Sequence, residues 1–116
     1  METLLLTERS ITATHSIEVI TLEGELDIKE VKNLGYELRS FFARGQYRIV
    51  LDFEDLTYIS SAGLGLLFSA AQEARKNKGD IKISNASPDI CKIFDLVELS
   101  GSIHVFKTEE EAVDSF

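Results

Sequence analysis

Residues 48–79, RIVLDFEDLTYISSAGLGLLFSAAQEARKNKG, carry the chain from a strand into a helix through one short loop. Arg48 to Phe53 is a nearly continuous apolar run, the pattern of a strand covered on both faces. From Leu64 the period changes. Leu64, Leu67, Phe68, Ala71 and Ala74 mark one helical face, and Gly79 stands where the helix should end. A strand buried on both sides and followed at once by an amphipathic helix is one half of a βαβ unit, so the flanking chain should supply parallel neighbours.

It does on both sides. Upstream, Ile17 to Leu26 alternates apolar and polar residues through most of its length, a half-buried strand. Short β-like stretches at 4–7 and 11–14 precede it, separated by Glu8-Arg9-Ser10, and His15-Ser16 would turn the chain. After Asp27, Val31, Leu34, Leu38, Phe41 and Phe42 recur with helical spacing. Asp27 with Glu30 resembles a capping box, and Gly45 sits at the C′ position. Downstream, residues 80–85 form a short strand and Ser87-Pro88 opens a helix through Ile90, Ile93, Phe94 and Leu96-Val97. Residues 102–106 read as a last strand, and Thr108 caps a terminal helix with acids in its first turn. The fold expected is α/β: a single domain over residues 1–116, with a mixed, mostly parallel sheet packed by about four helices. No repeat, low-complexity tract or linker interrupts it.

A chain of 116 residues with 44% hydrophobic and 28% charged residues is ordinary globular material and excludes disorder or coiled coil as a whole-chain reading. Twelve basic against 20 acidic residues give a net charge of −8, which repels phosphate backbones and anionic lipid. Neither nucleic acid nor membrane is an expected partner. The single Cys91 cannot form an internal disulfide, which fits a reducing compartment. The start, METLLLTERS, lacks the basic and long apolar segments of a signal peptide, and the longest uncharged apolar run, Ile59 to Ala71, is broken by glycines. The expected location is the cytoplasm.

The chemistry concentrates in Tyr58 to Leu67. Two glycines in a helix's first turns cost about 1 kcal/mol each against alanine, and they leave a side-chain-free surface beside two serines. A dinucleotide fingerprint would need a third glycine where Phe68 stands, and neither a P-loop triplet nor a G-x-S-x-G elbow occurs. His15, His104 and Cys91 show no metal-ligand spacing. No catalytic residue, metal or cofactor is expected, and the chain does not read as an enzyme. What remains is a serine that receives chemistry. At a helix N-terminus, free N–H groups and the dipole accommodate an anion, and a phosphate there would block a partner docked over the glycines. On the segment alone, Ser60 or Ser61 serves equally as a plain N-cap.

Ile59-Ser60-Ser61-Ala62-Gly63-Leu64-Gly65 resembles the anti-sigma factor antagonist signature, Asp-Ser-(Ser/Thr/Ala)-Gly-Leu-Gly, of STAS domains. Gly24-Glu25-Leu26-Asp27 is similar to the family's Gly-x-Leu-Asp, Ile49 to Asp52 to its central strand, and Pro88 to Leu99 to its later helix and loop. The resemblance spans nearly the whole chain. It implies partner switching: the unphosphorylated domain binds an anti-sigma factor that is also an ATP-dependent serine kinase, and a sigma factor is freed. The kinase phosphorylates the motif serine, which carries over to Ser61, and a PP2C-type serine phosphatase resets it. The family's acid at the first helix carries over to Asp27.

The implied partner-binding set is Asp27, Ser60, Ser61, Ala62, Gly63, Leu64 and Gly65. Ser60 stands where the family has Asp, so two adjacent hydroxyls are present and the acceptor is Ser61, Ser60 or neither; Ser61 holds the matching position. Asp27 also has a simpler role as helix cap, and Asp52 and Asp55 read as acids at the strand end and in its loop. The second reading is a STAS component of a larger assembly, stressosome-like or lipid-transporting, without a switch at Ser61. The short chain favours the free-standing switch, and the acidic charge together with the resemblance implies a monomer when free.

Overall fold

The computed structural model describes residues 4–12, 16–96 and 103–116. Five strands and four helices follow in the order β1 (Leu5–Thr12), β2 (Ser16–Leu26), α1 (Val31–Ala43), β3 (Arg48–Ile59), α2 (Ser61–Lys76), β4 (Asp80–Ser84), α3 (Pro88–Leu96), β5 (His104–Phe106) and α4 (Glu109–Asp114). The sheet order is sequential, β1-β2-β3-β4-β5. β1 pairs antiparallel with β2, and every later pair is parallel. The mixed, mostly parallel α/β domain expected from the alternation is therefore the one observed.

The sheet separates two apolar layers. On one face Leu34, Leu38 and Phe41 of α1, Leu64, Leu67 and Ala71 of α2, and Ile90 and Phe94 of α3 pack on Ile20, Leu22, Ile49, Leu51, Ile81 and Ile83. The alternate residues Ile17, Val19 and Val50 join Ala112 of α4 in a second cluster, with Phe106 and Phe116 at its margin. Lys82, buried on the strand between Ile81 and Ile83, holds α4 down: its Nζ donates to Ser115 O at 2.9 Å and to Ser115 Oγ at 2.7 Å, and lies 4.2 Å from the Phe116 ring centroid.

Several boundaries differ from the sequence reading. The opening strand is continuous through Glu8-Arg9-Ser10, because each of these residues pairs with β2 along an exposed sheet edge where charge is tolerated. β3 extends to Ile59 because β2 offers it partners out to Leu26. Asp55 is consequently a strand residue rather than a loop acid, and Gly24, at φ 116°, sits at the register shift that accommodates the extension. α1 begins at Val31, not after Asp27, and Glu30 does not return a capping-box bond; its Oε2 accepts from Asn33 Nδ2 instead. Gly45 takes the expected positive φ, 78°, but after α2 that conformation belongs to Lys78, at 65°, while Gly79 is needed for close approach: a Cβ there would lie 2.1 Å from Tyr47 O. β5 covers His104–Phe106. The turn at His15, the helix end at Val97 to Leu99 and Ser102 lie outside the described residues.

Candidate functional site

A parallel sheet brings the ends of its strands to one edge, and the loops leaving β2 and β3 meet there. Leu26 and Ile59, the last residues of these strands, are register partners. One step on, the Ser60 N–H donates to Leu26 O at 2.9 Å. That bond ties the two loops together, with Asp27 one residue beyond it on one side and Ser61 one residue beyond it on the other.

Asp27 organises the first loop. Its Oδ1 accepts from the N–H groups of Lys29 and Glu30, both at 3.0 Å, and its carbonyl accepts from Glu30 and Val31 N–H at 3.1 Å. Asp27 therefore closes the turn that leads into α1 and is not the cap of the helix itself; the capping role expected of it passes one turn later to Glu30, which makes no side-chain cap bond. One oxygen of the carboxylate is thus committed to backbone N–H groups, which holds the side chain in place at the site.

The two serines divide. Ser60 has extended backbone, φ −85° and ψ 166°, and its Oγ accepts from Gly63 N–H at 3.1 Å, while its carbonyl accepts from Leu64 N–H at 3.0 Å. It is the N-cap of α2 and does what an Asp would do there. Ser61 is the first helical residue, exposed, and its hydroxyl has no partner among the described residues. The first turn of a helix leaves N–H groups without intrahelical acceptors; Ser60 takes that of Gly63, leaving those of Ser61 and Ala62 beside the free hydroxyl.

The glycines divide as well. Gly63 is buried, and a Cβ on it would meet Leu26 Cδ2 at 3.0 Å and Ile59 Cγ1 at 3.1 Å, so its role is to let α2 approach the strand ends. Gly65 is exposed and a Cβ would meet nothing within 4 Å. Only Gly65 thus forms the side-chain-free surface that the sequence suggested for both. Leu64 is core, and Ala62 is half-buried. Phe68, read with Leu64, Leu67, Ala71 and Ala74 as one apolar stripe, is instead 37% exposed and shares the outward face of α2 with Ser61 and Gly65, and beside the loops Tyr58 and Ile28 are 49% and 72% exposed. These two apolar side chains carry no distinguishing pattern in the sequence; their exposure follows from where the strands end.

Asp52, read as an acid at the strand end, lies inside β3 and is buried: its Oδ1 accepts from Glu54 N–H at 3.0 Å and Asn85 Nδ2 at 3.2 Å. Among the described residues, no group of three His, Cys, Asp or Glu side chains could hold a metal ion, and no helix is long and apolar enough to cross a membrane. Among the described residues, neither serine is hydrogen-bonded to a His, Lys or carboxylate that could act as its base. The arrangement can cap a helix through Ser60 and present an exposed hydroxyl at Ser61.

Comparison with known proteins gives a consistent pattern. The STAS domain family matches residues 8–112. The anti-sigma F factor antagonist of Lysinibacillus sphaericus is 30% identical over 102 residues, 87% of this chain and 86% of its own. The fold superposes on the anti-sigma factor antagonist SpoIIAA in its unphosphorylated form with a TM-score of 0.71 at 28% identity, covering 94% of this chain and 96% of that one. The phosphorylated form of the Bacillus cell fate determinant SpoIIAA gives 0.70 at 29% identity, covering 94% and 98%.

Proposed function

From the premise that this chain belongs to the STAS domain family, we propose that it is an anti-sigma factor antagonist working by partner switching, with Ser61 as the switch. The observation that carries this reading is the division of labour between the adjacent serines. Ser60 is committed to capping α2, and Ser61 offers an unbonded, exposed hydroxyl at the helix N-terminus. The SpoIIAA relatives, known in unphosphorylated and phosphorylated forms, supply the analogy.

In the unphosphorylated state the partner, an anti-sigma factor with serine kinase activity, docks over Ser61, Ala62 and the open backbone at Gly65, with Asp27 fixing the neighbouring turn. Gly63 and Leu64 hold the helix against the strand ends and act through its position. The kinase transfers the γ-phosphoryl group of ATP to Ser61 Oγ; the hydroxyl proton leaves, a P–O bond forms and ADP departs. The phosphate adds close to two negative charges at a helix end that stabilises them, so the domain stays folded while the docked surface is lost. A PP2C-type phosphatase uses water to return the hydroxyl and release inorganic phosphate. The chain itself binds and is modified, and does so in the cytoplasm.

The test uses Ser61→Ala and Ser61→Asp proteins as parallel baits in lysate of the source organism. Capture of a histidine-kinase-like ATPase by the alanine bait, and its loss from the aspartate bait, supports the switch. Equal capture by both baits, or capture by neither, contradicts it.

A further inference from the structure

α1 and α2 pack on the same face of the sheet, and an open groove of about 790 Å³ runs between them. Its lining is mostly apolar, from Leu38 and Phe42 of α1 to Leu66 and Ala70 of α2. Tyr47 adds to one wall by stacking on Phe42, with 5.1 Å between ring centroids. Volume and lining both fall in the range of small-molecule sites. Ser61, Ala62 and Gly65 do not line it.

Gly35 is the first sign of an occupant. It is buried in the interior of α1, where glycine is less favourable than alanine. The fold does not demand it: a Cβ would lie 3.7 Å from Leu66 Cδ1 and 3.8 Å from Arg39 Nη1, ordinary contact distances. A methyl group would therefore fit, and what it would take up is space in the groove that Gly35, Arg39 and Leu66 all line. Arg39 is the second sign. Its guanidinium lies over the Tyr36 ring, 5.0 Å from the centroid, a contact that uses the face of the plane and leaves the donor edge open. No carboxylate is ion-paired to it among the described residues. Glu73, the acid that lines the groove, is engaged by Asn77, whose Nδ2 donates to its Oε2 at 3.4 Å. A cation thus stands beside an apolar groove in a chain whose net charge is −8.

We propose that this groove binds a single-chain amphiphile with an anionic head. The head pairs with the Arg39 guanidinium beside Gly35, and the hydrocarbon tail lies over Leu38, Phe42 and Leu66. Burial of the tail supplies most of the affinity, and the arginine fork, which matches carboxylate and phosphate geometry, selects the head. The inference is independent of the partner-switch reading, whose residues lie outside the groove.

Calorimetric titration of the full chain with monomeric dodecanoate tests it, at about 0.15 M salt to screen long-range charge. Backbone amide shifts locate the site. One-to-one binding with a Kd at or below about 1 mM is expected, with the shifts centred on α1, α2 and Tyr47. Dodecyltrimethylammonium, with the same tail and the opposite head charge, should bind about fivefold more weakly or worse. Arg39→Gln should weaken dodecanoate about fivefold and remove the preference between the two heads, with thermal melting close to wild type. Gly35→Ala should melt higher yet bind dodecanoate more weakly, opposite signs that a purely structural glycine would not give. Dodecyl phosphate separates the sources: tighter binding than dodecanoate points to a phosphate-headed lipid, weaker binding to a fatty acid. Binding of neither anionic probe, equal binding of the ammonium probe, an affinity untouched by Arg39→Gln, or shifts centred on another face overturns the proposal.

Discussion

Ser60 and Ser61 are chemically identical neighbours, and the structure gives them different energetics. Removing a Ser cap costs about 1 kcal/mol, so Ser60→Ala should lower the unfolding free energy by that amount in urea titration, whereas Ser60→Asp should retain it. Ser61→Ala removes no bond within the domain and should stay within about 0.5 kcal/mol of wild type. The motif located both serines from the sequence; which one caps depends on where the first helical turn begins, a matter of backbone torsion that residue types do not encode. Lys82 gives a second test at this scale. Burial pushes its ammonium below the ordinary 10.5, with Asp80 pulling partly the other way. The folded chain thus binds that proton less tightly than the unfolded chain, so its stability should rise as pH climbs through the lowered folded value and level off near 10.5. Urea midpoints of wild type minus Lys82→Met from about pH 8 upwards read this; a difference that stays flat or falls contradicts it.

At the scale of elements, α2 carries two glycines for two reasons. Gly65→Ala should raise stability by up to about 1 kcal/mol, because helix propensity improves and the Cβ meets nothing. The same methyl group lies on the proposed docking face, so partner affinity should fall as thermal stability rises. Gly63→Ala should lower stability by about 1–3 kcal/mol, since its Cβ presses on Leu26 and Ile59. Thermal denaturation of both variants separates the two roles; equal effects of either sign would contradict the division. The helical periods, the cap at Thr108, the start of α3 at Pro88 and the order of elements were legible because each is written in local spacing. The length of β3 was not. Asp52, Glu54 and Asp55 interrupt its apolar run, and only the long reach of β2 beside it shows why the strand continues. The division between Gly63 and Gly65 was hidden for the same reason, since it depends on Leu26, a residue on another strand.

At the scale of the whole molecule, topology does what no motif can. Asp27 and Ser61 are distant in sequence, yet parallel strands deliver both to one edge, and the Ser60 to Leu26 bond holds them there. That convergence was legible only through the family resemblance. The central claim is that Ser61 receives a phosphate that dissolves a complex without unfolding the domain. The most direct measurement incubates the captured kinase with this protein and ATP, maps the phosphate by fragmentation mass spectrometry and follows the complex by size-exclusion chromatography. A single phosphate on Ser61, loss of the complex and an unchanged circular dichroism spectrum are the expected result. A phosphate on Ser60, no phosphate at all, or a complex that persists after Ser61 is modified would contradict the account.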